Sequence, residues 1–105
     1  FSHKPIQGSK RKIESTYGDR LHTLFLKNNV SAVFSAHDHL YCTFKTDNLD
    51  YIISGGAGSP LYKDLCNGRE ISDYHFVLVD VRKDRIEIKA MNEDGKVLDA
   101  FNMYK

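Results

Sequence analysis

The sequence predicts an α/β (α+β) fold that ends in an antiparallel meander. Three observations lead to this prediction: a helical apolar period within residues 16–27, a short apolar run at residues 30–35, and three strand-like segments after residue 73. The apolar run barely alternates with polar residues, which favours a strand covered on both faces, directly after a helix. The chain is therefore expected to combine one helix–strand unit with a three-stranded meander.

The composition predicts one soluble domain and excludes some partners. The chain has 105 residues, with 15 Lys and Arg against 14 Asp and Glu, so its net charge is +1. A charge this small gives no long-range attraction for nucleic acid or an anionic membrane. No apolar run reaches the roughly 18 residues that would span a bilayer. The compartment, cytoplasmic or secreted, stays open.

The first residues and the cysteines give two further expectations. "FSHKP" has no initiator methionine and resembles the last turn of a strand followed by Pro5, which indicates a fragment. Cys42 and Cys66 match no C-x-x-C motif and are too few for a disulfide framework. We interpret them as free thiols, with a disulfide as the less favoured alternative.

The helix is predicted from a cap pattern and an apolar stripe. Thr16 and Asp19 fit the [ST]-x-x-[DE] start, and apolar side chains recur at positions 17, 21, 24 and 25. His22 falls outside that stripe and is predicted to lie at the surface. The preceding "GSKRK" at residues 8–12 is interpreted as a solvated loop, with a phosphate-facing role as the alternative.

The remaining segments read as strands and turns. A glycine turn, "SGGAGSP", follows the second strand of a hairpin, and it lacks both G-x-G-x-x-G and the G-K-[ST] of a P-loop. A nucleotide cradle is therefore not predicted. The expected hairpin strands are residues 40–45 and 49–54, and the expected meander strands are residues 74–81, 85–91 and 96–104.

The stretch "FSAHDHLYC", residues 34–42, holds the candidate site. In an extended segment His37 and His39 project to the same side and Asp38 to the other. Two neutral imidazoles can bind one metal, or one each of two metals. Five histidines in 105 residues give about 0.2 such pairs by chance, so the motif alone could also be a polar turn. Its place after a buried strand favours the metal site.

His3 is the third candidate ligand. It also follows a strand-like end, and a strand–loop–helix–strand path would return His37 beside it on a parallel neighbour. Parallel strands end at one edge of a sheet, where ligands commonly bind. We therefore expect His3, His37 and His39 to converge.

Taken together, "FSHKP", "VSAVFSAHDH" and "YIISGGAGS" resemble the C-terminal half of the calcineurin-like metallophosphoesterases, including the purple-acid-phosphatase-like members. The likeness covers nearly the whole chain, because "EDGKVLDAF" also resembles the end of such domains. It implies a four-layer β-sandwich flanked by helices, with residues 1–105 as the C-terminal portion of a single domain. It also implies two metal ions, Mn, Fe or Zn, with His3 and His37 on one metal and His39 on the other.

The chain departs from this family in two ways. Ala36 stands where the family has the glycine of G-H-x-H, and the D-x-H, G-D-x-x-D and G-N-H motifs are absent. Those motifs supply the bridging aspartate, the remaining ligands and a catalytic histidine. The resemblance therefore implies a phosphatase whose present portion, lacking its N-terminal half, is inactive alone.

Two other residues receive ordinary structural interpretations. His75 begins a predicted strand and is read as a packed or edge histidine, not a ligand. Tyr41 is read as a core or edge aromatic, with a place in the substrate cleft as the alternative.

Two functions remain as hypotheses. The leading one is a metal-dependent hydrolase of phosphate esters that pairs with the N-terminal half of its own domain. The rival is a non-catalytic β-rich interaction module whose histidines are structural or bind a single metal. The substrate, the metals and the oligomeric state are not specified by the sequence.

Overall fold

The computed structural model describes residues 1–104, which form an α+β fold that is mostly β, with two sheets and one helix. The coarse prediction of fold class is confirmed. The elements in chain order are α1 Ser15–Lys27, β1 Ala32–Ser35, β2 Tyr41–Thr46, β3 Leu49–Ser54, β4 Arg69–Ile71, β5 His75–Val81, β6 Arg85–Asn92 and β7 Val97–Tyr104.

The first sheet has the strand order β1-β3-β2-β4. β1 runs parallel to β3, with Phe34 opposite Ile52, and β2 runs antiparallel to β3. The β2–β3 turn consists of Asp47 and Asn48, whose φ angles are 50° and 61°. Two left-handed residues match the right-handed twist of the flanking strands, so this hairpin closes tightly. The predicted helix–strand unit and hairpin are both present.

The second sheet is the predicted antiparallel meander, in the order β5-β6-β7. Gly95 closes the β6–β7 turn with a φ of 81°. Ile88 and Ala90 are buried on the face that meets the first sheet, and Ala90 lies in one core cluster with Tyr41. Alternation along β6 therefore does mark its covered face.

The start of α1 differs from the prediction. The helix begins at Ser15 after an N-cap at Glu14, whose side chain makes no capping hydrogen bond. The predicted Thr16 cap is thus wrong. Of the predicted apolar stripe, Leu21 and Phe25 pack against the first sheet, whereas two other members, Tyr17 and Leu24, are more than half exposed. The face of α1 that packs against the sheet is therefore narrower than the apolar stripe predicted from the sequence.

His22 is not the surface histidine that was predicted. Its Nδ1 lies 2.7 Å from the Tyr51 hydroxyl and its Nε2 lies 2.8 Å from an Asp47 carboxylate oxygen. The side chain is 13% exposed. Burial and the neighbouring Asp47 raise the pKa of Tyr51 to about 12. His22 therefore connects α1 to the β2–β3 hairpin by hydrogen bonds to the turn residue Asp47 and to Tyr51 of β3.

The cysteines are not free thiols, because Cys42 and Cys66 form a disulfide across 24 positions of the chain. Cys42 is fully buried in β2, and Cys66 forms an isolated β-bridge with Ser9. Ser9 is 1% exposed, so residues 8–12 are not simply a solvated loop. The minority alternative from the sequence, a disulfide, is the correct one. It ties the "GSKRK" segment and the loop before β4 to the core.

Glu70 shapes the loop that carries Cys66. Its carboxylate accepts hydrogen bonds from the backbone N–H groups of Asp64, Leu65 and Cys66 at 2.9–3.0 Å. Desolvation acts to raise the pKa of Glu70, but these three donors favour the charged form and lower it overall. The loop is therefore organised around a carboxylate and not around apolar contacts alone.

Tyr41 and His75 lie between the two sheets. The Tyr41 hydroxyl donates to the Asp99 carboxylate at 2.8 Å. The rings of Tyr41 and His75 meet edge to face. His75 donates from Nδ1 to the Asp73 carbonyl at 2.8 Å, so its Nε2 accepts from the Ser54 hydroxyl at 2.9 Å. Both structural interpretations, a core tyrosine and a packed histidine, are confirmed.

Candidate functional site

A cleft of about 520 Å³ opens where β1 and β3 end. The side chains of His3, His37, His39 and Tyr62 line it, and the glycine turn forms one wall. Gly55 of that turn lies so close to the backbone that a Cβ would overlap the Asp38 carbonyl oxygen. The glycine turn thus allows two backbones to meet beside the histidines.

Two backbone hydrogen bonds hold the chain's first residues, which form no strand, against the end of β1 and so place His3. Ser2 donates its N–H to Phe34 at 3.0 Å, and Ala36 donates to the His3 carbonyl at 2.9 Å. His3 consequently lies beside His37, with Nε2 of His3 and Nδ1 of His37 only 3.3 Å apart. The predicted proximity of these two residues is present in the structure.

Arg11 determines the tautomer of His37. Its Nη2 lies 3.1 Å from His37 Nε2, and a guanidinium can only donate, so Nε2 must accept. Neutral His37 therefore carries its proton on Nδ1 and donates it to His3. Desolvation, followed by the charges of Arg11 and His3, lowers the pKa of His37. The result is a chain of hydrogen bonds from Arg11 through His37 to His3.

His39 has different partners. Its Nδ1 donates to the Pro60 carbonyl at 2.9 Å, and its ring stacks on Tyr62 with centroids 4.3 Å apart. The guanidinium of Arg11 lies 5.4 Å from the centre of the same Tyr62 ring. His39 thus belongs to an aromatic and cationic wall of the cleft, whereas His3 and His37 form a separate pair.

The His37–His39 segment is not extended, contrary to the geometric assumption made from the sequence. His37 has a φ of 66°, in the left-handed region, so side chains at i and i+2 do not project in parallel. Asp38 does point away from the cleft: it is fully buried and accepts a hydrogen bond from Ser9 at 2.5 Å. Its other oxygen has no hydrogen-bond partner among residues 1–104, although Arg11 lies 3.8 Å away.

The cleft does not fit a dinuclear metal centre built from the described part of the chain. Residues 1–104 contain no group of three or more His, Cys, Asp or Glu side chains placed to hold a metal ion. No carboxylate lines the cleft to bridge two cations, since Asp38 faces Ser9. Whether His3, His37 and His39 bind Mn, Fe or Zn stays a prediction.

Arg11 is a member of the site that the sequence did not indicate. The basic cluster "GSKRK" was recognised, but nothing in its spacing indicates that Arg11 would reach Asp38, His37 and Tyr62. The disulfide and the buried Ser9 bring this segment to the cleft. The sequence offered the disulfide only as the less favoured alternative, and the burial of Ser9 was not predicted.

The fold resembles that of a solved protein described as GAP50, the anchor in the inner membrane complex of Plasmodium. The TM-score is 0.80 and the sequence identity 20%, over 97% of this chain and 34% of that one. This chain thus spans about a third of the length of that structure. No family model matches, and no curated protein matches. Within residues 1–104, no helix is long and apolar enough to cross a membrane.

These comparisons correct the family and the activity inferred from the sequence. The similar structure is described as an anchor and not as a metallophosphoesterase, and no family model supports the resemblance. The predictions of a calcineurin-like family, a phosphatase or hydrolase activity and a dinuclear metal centre are therefore wrong. The short motifs misled because H-x-H and a glycine turn also occur where histidines bond to protein groups. The rival hypothesis agrees better with the findings.

Proposed function

We propose that this chain is a non-catalytic, β-rich interaction module that anchors other polypeptides in an assembly. The observation that carries the proposal is the occupation of the cleft histidines by protein partners. His37 contacts Arg11 and His3, and His39 donates to Pro60. The protein with the similar structure is likewise described as an anchor.

The charge arrangement in the cleft supports a structural role for the histidines. A metal on His37 Nδ1 would have to displace the proton shared with His3, and a positive guanidinium would remain beside the same ring. Arg11 already supplies a cation at this position. The module is therefore expected to fold without metal.

Thermal unfolding with and without EDTA tests this function. We expect the wild-type midpoint to shift by less than about 2 °C in EDTA, since no metal contributes to the folded state. His37→Ala should respond to EDTA as the wild type does. A drop in the wild-type midpoint that His37→Ala abolishes would contradict a metal-free module. Hydrolysis of p-nitrophenyl phosphate that disappears in His37→Ala would refute the non-catalytic role.

The ligand assignment of His3, His37 and His39 is kept as a separate proposal. A single ion on the His3–His37 pair is supported by the 3.3 Å between their facing nitrogens, since two ligands at about 2.1 Å from a tetrahedral zinc have a similar separation. Arg11 would oppose this ion. Zinc can be titrated into wild type and into Arg11→Met while the imidazole NMR signals are monitored. The variant should bind zinc more tightly, because it lacks the opposing guanidinium. Equal affinity would argue against this arrangement.

The extent of the domain is likewise a proposal. Residues 1–105 as the C-terminal portion of one larger domain would agree with the length ratio to the similar structure. A four-layer body, with helices outside two sheets, is the corresponding finer proposal for the fold. Limited proteolysis of the natural full-length protein tests the extent of the domain. Cleavage just before residue 1 that releases a folded fragment would show an independent domain and would contradict the proposal.

A further inference from the structure

The turn between α1 and β1 contains a triplet of the kind to which N-linked glycans are attached. Asn29, Val30 and Ser31 match the pattern N-x-[ST], and the middle residue is not proline. None of the other five asparagines has serine or threonine two positions later. Six asparagines and twelve serines and threonines in 105 residues give about 0.7 such triplets by chance, so the structure has to decide.

The backbone explains one part of the triplet and not the other. The N–H groups of Asn29 and Val30 donate to the carbonyls of Leu26 and Phe25 at 3.3 and 3.0 Å, which is the pairing of a Schellman motif. Asn29 is the left-handed residue of this motif, with a φ of 55°. Asparagine tolerates that conformation, so the turn accounts for position 29. It sets no requirement for the hydroxyl of Ser31.

The side-chain amide of Asn29 is open to reaction. Residues 28–31 are all exposed. Asn28 differs from its neighbour, because its Nδ2 donates to the Leu24 carbonyl at 2.8 Å and so closes the helix end. Among residues 1–104, Asn29 takes part in hydrogen bonds through its backbone alone. Its Nδ2 therefore points to a reaction partner in solvent without breaking a contact of the fold.

The disulfide is a second, independent observation. Stable disulfides form in oxidising compartments, such as the endoplasmic reticulum lumen and the cell exterior, and are rare in the cytosol. Cys42 and Cys66 are 24 positions apart and do not form the C-x-x-C motif of a redox-active pair, so their bond is structural. The same oxidising route is the one on which N-x-[ST] triplets in surface loops receive glycans.

The turn lies apart from the histidine cleft and from the apolar surface. Ser31 directly precedes β1, whereas the cleft opens where β1 ends. Polar side chains of Lys45, Asn48 and Asn102 line the hollow beside Ser31. The apolar groove that the rest of a larger domain could cover is lined elsewhere, by Phe1 and Phe34. A bulky, hydrophilic glycan at the turn would thus lie among polar groups and leave the cleft free.

We propose that Asn29 is an N-glycosylation site whose donor is an oligosaccharide on a polyprenyl diphosphate lipid. Nδ2 of Asn29 forms a bond to the anomeric carbon of the first sugar. The bond from that carbon to the diphosphate oxygen breaks, and the lipid diphosphate leaves with the electron pair. One amide proton passes to a basic group of the transferase. This inference goes beyond the anchoring function and does not depend on it.

The test uses the protein isolated from its natural source. Intact mass spectrometry should give a mass above that of the polypeptide, and peptide mapping should place the excess on the fragment that contains Asn29. Peptide N-glycosidase should remove the excess and leave aspartate at this position. An unmodified Asn29 in this material would overturn the proposal, and this measurement does not depend on the folding of any variant.

Variants expressed in the same source cells separate the triplet from the turn. Ser31→Ala leaves Asn29 and its left-handed turn in place, and it should abolish the glycan. Ser31→Thr preserves the hydroxyl and should keep the glycan, as should Asn28→Gln, the matched control at the neighbouring asparagine. A glycan that persists in Ser31→Ala, or that is lost in Asn28→Gln but kept in Ser31→Ala, would overturn the assignment to this triplet.

Discussion

Reduction of the Cys42–Cys66 disulfide should strongly destabilise the protein. The bond closes a loop across 24 positions. The chain-entropy relation for a loop of this length gives about 3.5 kcal/mol of stabilisation through the unfolded state. For a chain of 105 residues, an unfolding entropy of about 2.1 cal/mol/K per residue converts this into a fall in melting temperature of roughly 15 °C.

The assay compares thermal unfolding of the oxidised and reduced wild type with that of Cys66→Ser. Cys66 is the suitable position because it is partly exposed, whereas replacement of the fully buried Cys42 would also disturb the core. The variant should melt near the reduced wild type, and reductant should not change its midpoint. Mass spectrometry after alkylation in denaturant checks the oxidation state.

Two results would refute this reasoning. If both cysteines of the untreated, unfolded protein react with the alkylating agent, the disulfide is absent in solution. If the bond is present and reduction shifts the midpoint by less than about 3 °C, the loop-closure argument does not describe this chain. The second outcome would point to residual structure in the unfolded state.

Three further predictions concern stability. Tyr41→Phe removes the bond to Asp99 and should cost about 1–2 kcal/mol in urea unfolding, and an unchanged midpoint would exclude this contribution. Glu70→Gln should lower the free energy of unfolding by about 1 kcal/mol at pH 7, after allowance for solvent screening. Because the folded-state pKa of Glu70 is lowered, the stability difference between variant and wild type should shrink as the pH falls below 4.5. A pH-independent difference would contradict this. Gly55→Ala should cost more than Gly58→Ala in thermal melts, because an added Cβ at Gly55 would overlap the Asp38 carbonyl oxygen, whereas Gly58 has open space and only its φ of 141° opposes alanine. The reverse order would be inconsistent with this contact.

Local patterns predicted the elements better than they predicted the site. The alternation of Ile86, Ile88 and Ala90 identified β6 because a covered face requires apolar side chains at every second position. The turn residues "TDN" identified the β2–β3 hairpin for a similar reason, since they tolerate left-handed backbone angles. Both signals lie within a few neighbouring residues.

The errors concern residues that meet across long stretches of chain. His22 bonds to Tyr51, 29 positions away, and Arg11 reaches His37, 26 positions away. Helical periodicity indicates only the side of α1 on which His22 lies. It contains no information about the Tyr51 hydroxyl, which β3 supplies. The family resemblance failed for a related reason, because a short histidine motif does not specify which groups surround it.

The sequence by itself determined the helix, the hairpin and the meander, because periodicity and turn chemistry act between near neighbours. It also placed His3 close to His37 through the order of strand, helix and strand. Only the tertiary structure decided that Cys42 bonds to Cys66 and that Arg11 contacts His37. These features depend on the distances and directions between separate elements, which become fixed when the two sheets pack together.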